Sequence, residues 1–274
     1  MLQTLVISGA NTGMFYMLGV LYQALGRLSS VTHCYGTSAG SLVCCMYLIH
    51  KNRLFCGCQD HGPQCFVRLY ETAIGFLNRY KWVAHVCGGG YGVFDIEQLM
   101  KEFLKCVHIE ENFTMSGFKE GKLHTTAYCV NTCRTVVHSS TTDPDLPLWK
   151  ALSMSCCVPM MFKPVVHRNM YHVDGSILEY VPRPDKDAPG ETLRIIMDWR
   201  VTTDGGVGWF VNNIVFANVR QSCRLHSDKQ MDYTLFVVGD PNAPQIISNC
   251  THAEVTRMVE SGRWQWLHWV GLRG

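Results

Sequence analysis

No run in this 274-residue chain reaches the roughly 18 consecutive apolar residues of a membrane-spanning helix, which sets aside an integral helical membrane protein. Basic clusters are missing too. The 24 Lys and Arg face 22 Asp and Glu, and the net charge of +2 is scattered, so the basic stripe of a nucleic-acid binder is absent. Charged residues make up only 17% and hydrophobic residues 47%, the balance of a globular rather than a disordered chain. "MLQTLVISGAN" has no basic n-region and only a short apolar run, so no secretory signal is expected. There is no internal repeat, no low-complexity tract and no dividing linker, which leaves one α/β domain over residues 1–274 as the expectation.

Cysteine, by contrast, is plentiful. Fourteen cysteines without a leader predict reduced thiols in a cytoplasmic protein rather than a disulfide framework. Cys44-Cys45 and Cys156-Cys157 lie inside apolar runs, where cysteine behaves as a small hydrophobe.

The first 51 residues alternate strand and helix. "TLVISG" (Thr4–Gly9) is a short β-branched run ending in glycine. Met14–Leu28 has helical length, with Gly26 near its end. Ser30–Gly36 reads as a second strand and Ala39–Lys51 as a second helix, a pattern that predicts a parallel sheet with crossover helices. Downstream, Asp95 and Gln98 are placed as a capping box for a helix with Ile96, Leu99, Met100 and Phe103 on one face. Leu123–Ser140 reads as two strands turning near Asn131, and Pro147–Pro159 as a helix stopped by its second proline. A hairpin turning at Arg168-Asn169 ends at Asp174, and Leu193–Trp199 and Tyr233–Gly239 add two strands.

At the junction of the second strand and second helix stands "GTSAG", Gly36–Gly40. A Gly-x-Ser-x-Gly pentapeptide in that position is a nucleophile elbow, in which a sharp turn lifts the Ser38 Oγ clear of the backbone. Gly36 and Gly40 lack a Cβ and permit the turn and close helix packing. The competing reading makes Ser38 a simple helix cap. A serine nucleophile also needs a base and an oxyanion hole. The α/β-hydrolase order fits poorly, because only one strand precedes the elbow strand. The exit loop of the first strand, "SGANTG" (Ser8–Gly13), is the place left for backbone donors. Of the twelve aspartates, Asp174 alone closes a predicted strand and meets a Gly-initiated turn, a pattern equally suited to a base or a turn residue.

A Gly-containing loop after strand one, "GTSAG" after strand two and the late "DG" of "HVDGS" (His172–Ser176) together resemble the patatin-like phospholipases. "GVFDIEQL", "PLWKALSMSCCVPMMFKPV" and Val181-Pro182 extend the resemblance, which runs in order over residues 5–182 and leaves 183–274 to complete the sheet and C-terminal helices. It implies a three-layer α/β/α sandwich with a mainly parallel central sheet. It also implies a Ser38–Asp174 dyad, and an oxyanion hole from the backbone of Gly9, Ala10 and Asn11 with Ala39 as a further donor. The implied substrate is a phospholipid or other acyl-ester lipid met at a peripheral membrane surface, with no cofactor and no nucleic acid. The family pattern is broken in places. Ala10 and Asn11 stand where glycines are usual, and Gly13 or Thr12 falls at a basic position. Ser176 replaces the second glycine of Asp-Gly-Gly, and Tyr180 replaces a frequent Asn. A catalytically weak or inactive lipid-binding protein is therefore the alternative.

Other features stand apart. Cys56, Cys58, His61 and Cys65 are ligand types for a structural zinc site, without the usual pair spacing. Gly88–Gly92 lacks the Lys-Ser/Thr of a phosphate loop. Gly208–Val219 and Arg263–Leu272 are aromatic-rich segments that suit either core packing or membrane docking. His172, on the same strand face as Asp174, is not expected to serve as base.

Overall fold

The computed structural model describes residues 1–56, 62–80, 92–185, 188–199, 233–240, 243 and 250–272. Strand β1 (Leu2–Ile7) passes through a 3₁₀ turn (Asn11–Gly13) into helix α1 (Met14–Ala24), and β2 (His33–Thr37) leads into α2 (Ala39–Lys51). There follow α3 (Pro63–Arg79), β3 (Gly92–Phe94), α4 (Ile96–Cys106), β4 (Lys122–Cys129), β5 (Arg134–Ser139) and α5 (Leu148–Cys156). Then come β6 (Met160–Phe162), β7 (Val165–His167), β8 (Met170–Asp174), β9 (Glu191–Trp199), β10 (Thr234–Gly239) and α6 (His252–Gly271).

Among the described residues an eight-stranded sheet runs in the order β10-β9-β1-β2-β4-β8-β7, with β5 also paired to β4. From β10 to β4 every pairing is parallel, while β5, β8 and β7 are antiparallel to their neighbours. Side chains alternate between faces along a strand, yet Thr4 to Ile7 of β1 are all buried, as are Cys34 to Thr37 of β2. Both faces of the central strands are therefore covered, the α/β/α arrangement of a mainly parallel sheet. β3 and β6 form a separate parallel pair.

Burial explains which helices lack polar faces. α2 is buried from Ala39 through Ile49, so its apolar character runs all the way round. α1 is enclosed similarly and packs against α6 at a glycine crossing. A Cβ on Gly19 would collide with the Val259 carbonyl, and one on Gly262 with the Tyr16 carbonyl, so both helix backbones approach through missing side chains. α6 begins with a reciprocal capping box between Thr251 and Glu254. At α4, Asp95 accepts from the Glu97 and Gln98 backbones, but the Gln98 side chain donates to Glu102 one turn on. The cap forms there and the reciprocal half of the expected box does not. α1 ends at Ala24 and passes into a 3₁₀ turn (Leu25–Arg27) that contains Gly26. The hairpin turn falls at Arg168 and Asn169, with φ of 50° and 60°, the left-handed pair of a two-residue turn.

Candidate active site

One edge of β4 is filled by β5 along His124 to Cys129. β2 and β8 must then share the other edge, approaching from opposite ends. Thr37, the last residue of β2, lies opposite Thr126, and Asp174, the last residue of β8, lies opposite Ala127. Two strand ends thus meet head to head on consecutive rungs of a third. The next side chain after β2 is Ser38, and its Oγ donates to Asp174 Oδ2 at 2.6 Å.

Ser38 adopts φ 53° and ψ −130°, a conformation that costs a non-glycine residue about 1–3 kcal/mol. Its side chain makes no capping bond, so the simple-cap reading of Ser38 fails. The strained backbone is held from α5: the Ser38 N–H donates to Ser155 Oγ at 3.0 Å. Ser155 Oγ in turn donates to the Thr126 carbonyl at 2.7 Å and lies 2.8 Å from Ser41 Oγ. The flanking glycines are required by contact, since a Cβ on Gly36 would sit 2.5 Å from Ser41 Cα and one on Gly40 2.5 Å from the Ile7 carbonyl oxygen. Ala39, at the first turn of α2, has an N–H that the helix cannot pair internally.

Asp174 is buried, and burial pushes its carboxyl above the usual carboxylate range, although hydrogen bonds from Ser176 and Ser38 pull the other way. Its own N–H donates to the Cys157 carbonyl at 2.8 Å. The Ser176 backbone N–H and Oγ donate to Asp174 Oδ1 at 2.8 and 2.5 Å, leaving Oδ2 to Ser38. Ser176, which departs from the expected glycine, thus orients the carboxylate.

The first-strand loop differs from expectation at one residue. The Gly9 N–H donates to the Tyr180 carbonyl at 2.9 Å, so it is committed and does not point into the site. Tyr180, whose OH donates to the Met197 carbonyl at 2.9 Å, packs its ring against Gly9 beside Ser176. Ser176 and Tyr180, two of the departures from the family pattern, therefore both lie against Gly9. Ala10 has φ −151° and carries no left-handed strain; the positive φ of 49° falls on Asn11, which tolerates it. His172 is buried on the same strand face as Asp174, with Nδ1 3.1 Å from the Met170 carbonyl oxygen, and its ring lies against His138 and His167.

Of the other features, Cys65 is buried on α3 and Cys56 is half-buried, while Cys58 and His61 lie outside the described residues. Gly88 to Tyr91 and the 208–219 segment also lie outside them; Gly92 opens β3. On α6, Trp266 is buried and Trp269 Nε1 donates to the Thr234 carbonyl, whereas Trp264 and Leu267 are exposed. Ser155 and Ser41 escaped the sequence reading because a hydroxyl within an apolar helix carries no mark of its partner.

A family model described as patatin-like phospholipase matches residues 5–185. A curated protein described as a probable lipid hydrolase, 463L of Invertebrate iridescent virus 6, is 24% identical over 189 residues, covering 66% of this chain and 61% of that protein. VipD from Legionella pneumophila shares the fold with a TM-score of 0.55 at 13% identity, over 98% of this chain and 66% of its own. ExoU, a type III effector of Pseudomonas aeruginosa, aligns with a TM-score of 0.48 at 12% identity, over 99% of this chain and 53% of its own. This chain therefore spans between about half and two thirds of the length of the proteins it matches. The family match runs from β1 through the elbow, β4, α5 and β8 to the loop beyond Asp174, and on that extent the chain belongs to the patatin-like phospholipase family.

Proposed function

We propose that the protein is a lipid acyl hydrolase that cleaves carboxylic esters of phospholipids or related lipids through a Ser38–Asp174 dyad. The observation that carries the reading is the 2.6 Å bond from Ser38 Oγ to the buried Asp174 Oδ2 at a strained strand-to-helix turn. Asp174 takes the hydroxyl proton as Oγ attacks the ester carbonyl. The tetrahedral intermediate places its negative charge toward the backbone N–H groups of Ala10, Asn11 and Ala39. Collapse breaks the ester C–O bond, and the leaving alcohol takes the proton from Asp174. Water then attacks the acyl-serine with Asp174 again as base, releasing the fatty acid and restoring Ser38. A carboxylate raised by burial is a better base than a solvated one, which is what a dyad without histidine needs. The chemistry calls for no cofactor.

No helix among the described residues is long and apolar enough to cross a membrane. Met160 and Leu178 are exposed apolar residues close in the chain to Cys157 and Asp174, which supports docking at a lipid surface. The 463L relative, with its lipid-hydrolase description, supports the same substrate class. One observation favours a second reading, a lipid-binding protein of low turnover: the engaged Gly9 N–H removes one expected oxyanion donor. Fluorophosphonate labelling of wild type, Ser38→Ala and Asp174→Asn at matched folding separates the two. Labelling that vanishes in Ser38→Ala and collapses in Asp174→Asn is the expected result. An unlabelled wild type that still binds phospholipid vesicles would support the second reading.

A further inference from the structure

On the same sheet face as Asp174, a polar cluster has no place in the proposed chemistry. His138 is the penultimate residue of β5, His167 ends β7, His172 lies on β8, and Asp143 follows β5. The three imidazoles form a near-equilateral triangle, with centroids 5.7 Å apart for His138–His167, 5.7 Å for His138–His172 and 6.0 Å for His167–His172. His138 Nδ1 lies 2.8 Å from Asp143 Oδ2, and both residues are buried. The Nε2 atoms of His138 and His167 are buried without a hydrogen-bond partner. Two orphaned imidazole nitrogens in one buried cluster are costly unless something bonds to them.

We propose that His138, His167 and Asp143, with His172 beside them, form a binding site for a divalent transition-metal cation of the zinc class. One nitrogen of each of the two histidines and one Asp143 oxygen lie within 4.8 Å of one another. Two imidazoles bound tetrahedrally at about 2.0–2.1 Å from zinc would have centroids about 5.2 Å apart, so a small contraction from 5.7 Å closes the site. The Asp143–His138 bond is the carboxylate–histidine pairing that orients a metal-bound imidazole, so Asp143 holds His138 in place from Nδ1 and leaves its Nε2, with that of His167, to the ion. A nitrogen-rich donor set selects zinc-like ions over calcium or magnesium. Arg168, largely exposed, places its guanidinium 2.7 Å from Asp143 Oδ1 and supplies the positive charge that the carboxylate faces before an ion enters. A bound ion ties the loop after β5 to the β7–β8 hairpin, the arm whose far end carries Asp174.

The test uses the full chain without a polyhistidine tag, stripped with chelator and titrated with zinc. One tightly bound zinc is expected, with melting raised by about 5–10 °C at zinc a hundredfold above Kd. The His138→Gln/His167→Gln pair should abolish both, and Cys56→Ser/Cys65→Ser should abolish neither. Cobalt in place of zinc should give ligand-field bands without a thiolate charge-transfer band. The proposal is overturned if the stripped wild type binds no zinc and its melting does not move. It is equally overturned if zinc survives the histidine pair or is lost with the cysteines. Should the double variant fail to fold, His167→Asn alone must weaken the zinc-dependent rise by at least tenfold in Kd. None of these readings depends on hydrolytic activity.

Discussion

Replacing Ser155 by alanine tests whether the elbow is held from outside itself. Ser155 Oγ accepts from the Ser38 N–H, lies within bonding distance of Ser41 Oγ, and donates to the Thr126 carbonyl. Ser155→Ala removes all three contacts and adds no bulk. A buried polar group left unpaired costs about 1–3 kcal/mol. Ser41 can turn its hydroxyl elsewhere, whereas the Ser38 N–H and Thr126 carbonyl are fixed in the backbone, so the expected loss is about 2–4 kcal/mol. For a chain of this size that lowers Tm by about 5–15 °C. The second effect is chemical. Ser38 sits in a conformation costing about 1–3 kcal/mol, and without Ser155 the turn relaxes toward an unstrained one. A shift of about 1 Å between Ser38 Oγ and Asp174 Oδ2 is enough to slow the reaction about 100-fold. The assay pairs calorimetry with the second-order rate of fluorophosphonate labelling below both melting points. Ser153→Ala, one turn face away on α5, removes only bonds to the Trp149 and Ile96 carbonyls and should leave labelling near wild type. Wild-type labelling and melting in Ser155→Ala would refute the reasoning.

Asp174→Asn should abolish labelling yet raise Tm at neutral pH. A carboxyl raised by burial binds its proton more tightly folded than unfolded, so its ionisation weakens the fold as pH climbs from the unfolded to the folded pKa; melting curves of both proteins from acid to neutral pH check the sign. Ser176→Gly removes an Oγ donor to Asp174 Oδ1, so the acid limb of the labelling profile should move to higher pH, and an unmoved limb would show that Ser176 does not tune the base. Gly19→Ala or Gly262→Ala forces a Cβ into the facing helix carbonyl and should cost about 1–3 kcal/mol or more by overpacking, read as a lowered urea midpoint with an unchanged labelling rate in the surviving folded protein.

Much of the fold was legible because each local signal agreed with its neighbours. The helix read over Ala39–Lys51 has those bounds in the structure, and the hairpin turns at Arg168-Asn169 as read, on two left-handed residues. The reading of Asp95 and Gln98 went only half way, since a glutamine side chain chooses between its N-cap and a partner one turn on, and Glu102 won. The resemblance implies Gly9 as an oxyanion donor, but the carbonyl that takes its N–H comes from Tyr180, far along the chain.

What the sequence determined by itself is therefore what depends on neighbours in the chain: strand and helix periods, the Gly-Thr-Ser-Ala-Gly elbow, the turn chemistry and the order of the motifs. What only the tertiary structure decided is which distant groups meet. Ser38 and Asp174 come together because β2 and β8 end on consecutive rungs of one edge of β4. Ser155 reaches the elbow from α5, and His138 of β5 meets His167 and His172 of the β7–β8 hairpin. Local preferences act over a few residues through backbone sterics and hydrogen bonding, whereas these meetings are set by strand register and helix packing, which no single stretch of sequence encodes.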